Sequence, residues 1–239
     1  MRPSRSRTPY IATTLTAPLS SSALPTLSSS QVKEVDALAE ERFGIPLDWL
    51  MEAAGWQVAR LVEGRAVVVC GVGNNAGDGF AAARHIHRWG RLVRTCCVDA
   101  ARLRGPAERQ YRVLGNQGVE VSAGLVLDGA DVVVDAIFGT GLSRPPEGTF
   151  ALWIEAINAS GLEVVSVDVP SGLDAETGVA YSPTVVAQLT IALGLPKPGL
   201  LQRPGRVVVA DIGVPAEAYA AVGVKVPAGL FAHGDVVRL

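Results

Sequence analysis

The sequence predicts an α/β fold, a mostly parallel sheet covered by helices on both faces, and three observations predict it. Short β-branched runs recur along the chain: AVVVCG (66–71), LVRTCCV (92–98), VEVSA (119–123), DVVVDA (131–136), EVVSVD (163–168), VAQLTIALG (186–194) and RVVVAD (206–211). Most are continuous apolar stretches without polar alternation, as strands buried on both faces are. Helical stretches separate them, the order in which a parallel sheet is built from crossover units.

The 239 residues, 49% hydrophobic and 18% charged, can bury one substantial core, so one domain is expected. Residues 1–28 are rich in Ser, Thr and Pro, carry Arg2, Arg5 and Arg7, and have no acidic residue before Glu34. They are expected to be a disordered tail, with an organellar transit segment or an overlong gene start as its origin. The domain proper is expected over 29–239. It opens with an amphipathic helix over 31–43, where Val32, Val35, Leu38 and Ala39 keep helical spacing, serines at 28 to 30 offer cap oxygens and Gly44 stops it. A second helix over 46–62 carries Leu47, Leu50, Met51, Ala54 and Val58 at the same period. After the first strand, Phe80, Ala83, Ile86 and Trp89 mark a third. The run at 206–211 is expected to be the last strand.

Charge and cysteine usage exclude several classes. A formal net charge of -2 leaves no basic excess for a phosphate backbone, so no nucleic-acid partner is expected. No apolar run approaches the roughly 20 residues that span a bilayer, and no membrane partner is expected. Cys70, Cys96 and Cys97 fall inside apolar runs, without disulfide or metal spacing. They read as buried thiols in a reducing, cytoplasmic compartment.

In a sheet of this kind ligands occupy the crevice beyond the carboxyl ends of the strands. The first strand runs into Gly71-Val72-Gly73-Asn74-Asn75-Ala76-Gly77-Asp78-Gly79 ahead of a helix. The glycines are expected to supply positive φ and let backbone amides approach a phosphate-bearing ligand. Gly71, Gly73 and Ala76, with Asp99 after the next strand, satisfy a loose dinucleotide fingerprint, the sole support for an ordinary nicotinamide oxidoreductase. That pattern does not explain tandem Asn74-Asn75 with Asp78; the alternative is that the asparagines merely adopt left-handed turn geometry. His85 and His87, two apart on a helix, diverge and cannot share a metal; both are expected at the surface or an edge, and His233 receives no role.

Two aspartates end strands. Asp135 precedes a loop of Gly139, Thr140, Gly141, Leu142, Ser143 and Arg144, and Asp168 precedes Pro170, Ser171 and Gly172. Asp168 is the candidate general acid/base. Oxygens of Asn75, Asp135 and Ser171 suit a weakly hydrated monovalent cation such as K+. Lys197, held between Pro196 and Pro198, either contacts phosphate or the reacting centre or is a solvated surface lysine.

The segments FGIPLDWLMEAAG, VVCGVGNNAGDGFAAARHI, VVVDAIFGTGL, VVSVDVPSGLDAETG, LPKPGLL and DIGVP, in this order, resemble the YjeF N-terminal domain, the NAD(P)HX epimerases, over roughly residues 30–235. The resemblance implies a three-layer α/β/α sandwich with a Rossmann-like sheet and a homodimer. It implies an isomerase that interconverts the R and S forms of hydrated NADH and NADPH, so that a separate ATP- or ADP-dependent dehydratase can repair the S form. It also implies substrate contacts at Asn74, Asn75, Ala76, Gly77, Asp78, at Gly139, Thr140, Gly141, Leu142, Ser143, Arg144, Pro145 and at Asp168, K+ ligands at Asn75, Asp135 and Ser171, and Asp168 as the catalytic residue. Ala76, Ala53 and Gln188 depart from the family pattern, where Gly, Asn and an acidic residue are usual. Relatives of the fold serve as non-catalytic scaffolds in RNA decapping or lipoprotein binding and tend to lose these site residues, which this chain keeps. A chain ending at Leu239 is expected to lack dehydratase activity, and Asp168→Asn is expected to abolish epimerisation with little loss of fold.

Overall fold

Successive side chains of a strand point to opposite faces of a sheet, so a run apolar at every position needs a layer on each side. The computed structural model describes residues 24–202 and 205–239, and in it each of the seven runs forms a strand of one sheet: β1 (Ala66–Cys70), β2 (Leu92–Cys97), β3 (Val121–Ser122), β4 (Val132–Ala136), β5 (Glu163–Val167), β6 (Leu189–Leu193) and β7 (Arg206–Ala210). An eighth strand, β8 (Val236–Arg238), follows and pairs antiparallel with β7. The expectation that 206–211 ends the sheet is corrected by it; three residues are too few to show a period. The helices are α1 (Ser29–Phe43), α2 (Leu47–Leu61), α3 (Asn74–Arg88), α4 (Gly105–Asn116), α5 (Thr149–Ala159) and α6 (Ala216–Ala221).

The layers follow from β1. Ala66, Val68 and Cys70 pack with Val58 of α2 and Phe80, Ala83 and Ile86 of α3. Val67 and Val69 pack with Trp153, Ile154 and Ile157 of α5 on the other side. Burying side chains of this size contributes about 1.5–3 kcal/mol each, which is why the strands keep no polar face. A separate cluster of Leu27, Val35, Leu195, Ala218 and Tyr219 joins α1 to α6.

The start of α1 behaves as its serines predict. The Ser28 side chain accepts from the Gln31 amide while the Gln31 side chain accepts from that of Ser28, a capping box, and Gly44 closes the helix at φ 67°. The domain boundary at 29 is late, however: Leu24 and Leu27 are already buried in the core. Residues 1–23 of the expected tail lie outside the described residues.

The strand order is β3-β2-β1-β4-β5-β6-β7-β8, and all neighbours but the last pair are parallel. The chain runs outward from β1 to β3 and then returns to the opposite side of β1. That reversal opens a crevice beyond the carboxyl ends of β1 and β4, where the Asn-Asn segment and the Asp135 turn both emerge. All three cysteines are free and buried, and no helix of the described residues is long and apolar enough to cross a membrane.

Candidate active site

The segment after β1 is already a helix start, where a glycine loop ahead of the helix was expected. α3 begins at Asn74 with Gly73 as its N-cap, so Asn74 to Asp78 form its first turn. None of Gly71, Gly73, Gly77 and Gly79 has positive φ, which overturns the conformational reason expected for them. Space is the reason instead. A Cβ on Gly71 would meet the Ile137 carbonyl oxygen at 2.0 Å, one on Gly77 the Met51 sulfur at 2.4 Å, and one on Gly79 the Ala136 Cβ at 2.6 Å. Gly71 lets the exits of β1 and β4 approach until their backbones nearly touch, Gly79 lets α3 settle on the two strands, and Gly77 lets it close on α2 and α4. A Cβ on Gly73 would have nothing within 4 Å, leaving the amide end of α3 open toward the crevice, where a helix N-terminus favours an anion.

Asp135 ends β4 with no exposure at all. Its oxygens accept from Ser166 Oγ at 2.8 Å, from Ser171 Oγ at 2.6 Å, from the Ser171 amide at 2.9 Å and from the Ile137 amide at 3.2 Å. Burial pushes its carboxyl above the ordinary range, opposed by these bonds. Ser171 Oγ also accepts from the Phe138 amide at 2.8 Å, knitting the exits of β4 and β5 together. The Asn75 side chain packs against Gly139 in the same loop, and both of its amide atoms are buried without a protein partner.

Asp168, leaving β5, is the one non-glycine residue with positive φ among the described residues, at 67°. Strain of this kind persists where the surroundings enforce it. Here Asp168 Oδ1 accepts from the Leu193 amide at 3.1 Å and from Lys197 Nζ. Lys197 is buried, 1% exposed, and its other donors reach the carbonyls of Leu193 at 3.1 Å and Leu195 at 3.2 Å. Of the readings of Lys197, the solvated surface lysine is overturned: the ammonium is buried against Asp168 at the cavity wall.

A cavity of about 410 Å³ occupies the crevice. Asn74, Asn75, Asp78, Gly139, Thr140, Gly141, Leu142 and Asp168 all line it, together with Lys197. Ala76 and Gly77 are not on its wall; both are buried in the α3 packing. Ser143, Arg144 and Pro145 are exposed, farther along the loop. Asp135 and Ser171 stand behind the wall and hold it.

The sequence reading missed Asp36. It lies beside the apolar stripe of α1 and was given no role, yet Val32, Lys33 and Asp36 form one side of the cavity. α1 is fastened there through Ser29 Oγ, which donates to the Thr140 carbonyl at 2.9 Å. Burial pushes the Asp36 carboxyl up to about 6, with Asp168 adding to the rise and Lys197 opposing it. Burial likewise pushes Asp78 well above the ordinary range, helped by Asp168 and Asp36.

Other expectations resolve away from the cavity. His85 is buried, with Nε2 bonded to Glu52 Oε1 at 2.8 Å and its ring edge-on to Trp56; its expected surface position is corrected, because its side of α3 packs on α2. His87 and His233 are exposed. Asp99 caps a short 3-10 turn by accepting from the Ala101 amide and does not line the cavity, so the ribose-binding acid that an oxidoreductase reading needed is not on its wall. Gln188 accepts from the Val164 amide at 2.6 Å and so secures β6 to β5.

Residues 47–199 match the family described as YjeF-related protein N-terminus. The chain belongs to this family. Within it, the chain is 44% identical over 192 residues to the "Bifunctional NAD(P)H-hydrate repair enzyme Nnr" of Thermofilum pendens, covering 74% of this chain and 37% of that one. It is 36% identical over 212 residues to the "NAD(P)H-hydrate epimerase" of Rhodopirellula baltica, covering 81% of this chain and 86% of that one. This YjeF-type chain therefore spans well under half the length of the bifunctional relative and most of the single-activity one. The crystal structure of yeast ynu0, YNL200c, superposes with a TM-score of 0.77 at 25% identity over 90% of this chain and all of that one, and it shares the α/β fold.

Proposed function

We propose that this chain is an NAD(P)H-hydrate epimerase, an isomerase that interconverts the R and S forms of hydrated NADH and NADPH. The observation that carries the reading is the convergence, in one cavity at the switch point of the sheet, of the α3 amide end, the Asn74-Asn75 pair and the Asp168–Lys197 pair. Relatives of near-equal length bearing the epimerase name support it.

The chemistry suits these groups. The hydrated carbon carries a hydroxyl beside a ring nitrogen, so its departure leaves an iminium, and water returning to the other face inverts the centre. A carboxylate within reach of that oxygen can move the proton. We assign that role to Asp168, whose Oδ1 is held by the Leu193 amide and Lys197 Nζ and whose backbone amide donates to the Ile191 carbonyl. The dinucleotide phosphates would lie against the open amide end of α3 at Gly73 and Asn74, with the 139–145 loop alongside.

The residues present also fit a K+ ion. Asn75 has a buried amide oxygen with no protein partner, and Asp135 and Ser171 supply further oxygens at the same loop. Bound K+ would supply positive charge against the buried Asp135 carboxylate and steady the loops after β1 and β4. The proposal extends to a homodimer in the cytoplasm, where three free thiols remain reduced, and to a dehydratase acting on the S product.

The test is direct. Purified protein is incubated with R-NADHX and an S-specific dehydratase, and the R form should disappear faster than spontaneous epimerisation allows. A rate equal to the spontaneous one removes the reading. In a parallel thermal melt, KCl should raise Tm by mass action on the native state, and Asn75→Ala should cancel the rise; equal shifts in both proteins would remove the ion.

A further inference from the structure

Inversion at the hydrated carbon needs two proton transfers on opposite faces of one ring, and Asp168 is arranged for half of them. Its Oδ1 already receives two donors, Leu193 N and Lys197 Nζ, which suits an oxygen that accepts. Oxygen leaving from the other face needs a donor there. We propose that Asp36, on α1, is that donor: a second catalytic carboxyl that protonates the departing hydroxyl while Asp168 takes the proton of the water that adds back. The proposal rests on the epimerase reading above and assigns the second proton of its reaction.

Three observations carry it. Asp36 lines the same cavity as Asp168 but comes from a different element. α1 is held in place at both ends of this stretch, by Ser29 on the 139–145 loop and by Val35 and Ala39 in the core. Among the described residues no hydrogen-bond donor is engaged with the Asp36 carboxyl, so it is available to a bound molecule. Its surroundings then set its proton: burial raises it to about 6, Asp168 adds to the rise and Lys197 opposes it. Asp78 of α3 and Tyr219 of α6 also feel its charge, and Lys33 shares the cavity wall from α1 itself. A carboxyl that titrates near neutral pH transfers protons more effectively than one held far from it.

The step balances. The C–O bond breaks with its electron pair on oxygen, the ring nitrogen lone pair becomes the second bond of the C=N iminium, and the Asp36 proton turns the leaving oxygen into water. Water then adds a lone pair to the opposite face, the π pair returns to nitrogen, and the surplus proton passes to Asp168. The protein ends with one proton moved from Asp36 to Asp168, and exchange with solvent restores the starting state.

The experiment measures kcat and KM for R-NADHX, coupled to an S-specific dehydratase, across neutral pH for the wild type, Asp36→Asn, Asp36→Glu and Asp78→Asn, with thermal melts of each. The wild-type kcat/KM should fall as pH rises through about 6, where Asp36 loses its proton. Asp36→Asn should lower kcat by about 100-fold or more with KM little changed, and its profile should lose that limb; Asp36→Glu should keep the limb and recover part of the rate. An Asp36→Asn protein that melts like the wild type and retains its kcat and the limb overturns the role. So does one that raises KM with the limb intact, or a limb that vanishes in Asp78→Asn instead. A wild type that does not epimerise overturns the function and the role together, whereas an active wild type with an unaltered Asp36→Asn overturns the role alone.

Discussion

Asp135 and Asp168 stand at the ends of adjacent strands, each after an apolar run and before a glycine-bearing turn, and their surroundings are opposite. Asp135 is fully enclosed and satisfied by neutral donors, two hydroxyls and two amides. Asp168 faces the cavity, holds a left-handed backbone and is matched by a buried ammonium. The first carboxylate builds the wall; the second lines the cavity in front of it. Burial alone does not separate the two carboxylates, and the identity of the partner does.

The largest effect that sharpens this contrast is at Asp168. Asp168→Asn should lower epimerisation by about 10²- to 10⁴-fold, measured with R-NADHX. It should also destabilise the fold, contrary to the expectation from sequence, because Lys197 would be left as a buried charge without its partner, a loss of about 3–5 kcal/mol. Adding Lys197→Met should recover most of the melting temperature and none of the activity. Recovery of activity in the double variant would break the distinction.

A smaller effect is expected at Asp135. Asp135→Asn turns one acceptor into an NH2 group facing donors of Ser166 or Ser171, at a cost of about 1–3 kcal/mol in chemical denaturation. Activity should fall less than in Asp168→Asn, and the KCl-dependent rise in Tm should disappear. A variant as inactive as Asp168→Asn yet fully stable would place Asp135 in the chemistry.

The smallest effect concerns a carboxylate away from the cavity. The bond from His85, with Arg84 assisting, holds Glu52 down at about 2 against an ordinary 4.5 despite its partial burial. A depressed carboxyl stabilises the fold fully above pH 4.5 and loses that contribution as pH falls through about 2. Glu52→Gln should therefore flatten the acid limb of a stability-against-pH curve and leave kcat unchanged. A change in kcat would tie the α2–α3 contact to the site.

Much of the site was legible before any coordinates. Asn74, Asn75, Asp78 and Asp168 reach one cavity because each leaves or begins an element whose apolar run is unmistakable, and in a parallel sheet those ends gather on one edge. Asp36 was hidden because a lone acidic residue beside a helical stripe looks the same whether it faces water or a cavity. Lys197 was ambiguous for a similar reason: its flanking prolines fix the backbone and say nothing about what receives the ammonium. The glycines were found for the wrong reason, since a sequence cannot separate a glycine chosen for positive φ from one chosen because another backbone lies 2.0 Å from its absent Cβ.

The sequence by itself determined the seven parallel strands, the α/β class and the turns that reach the cavity, because burial on two faces and helical spacing are written into neighbouring residues. Only the tertiary structure decided that Asp135 meets hydroxyls and Asp168 an ammonium, that α1 closes the cavity with Asp36, and that three glycines serve contact. The reason is one of range. Backbone preference and side-chain period act over a few residues, whereas the partner of a charge, the neighbour of a glycine and the wall of a cavity are supplied by segments tens of residues away.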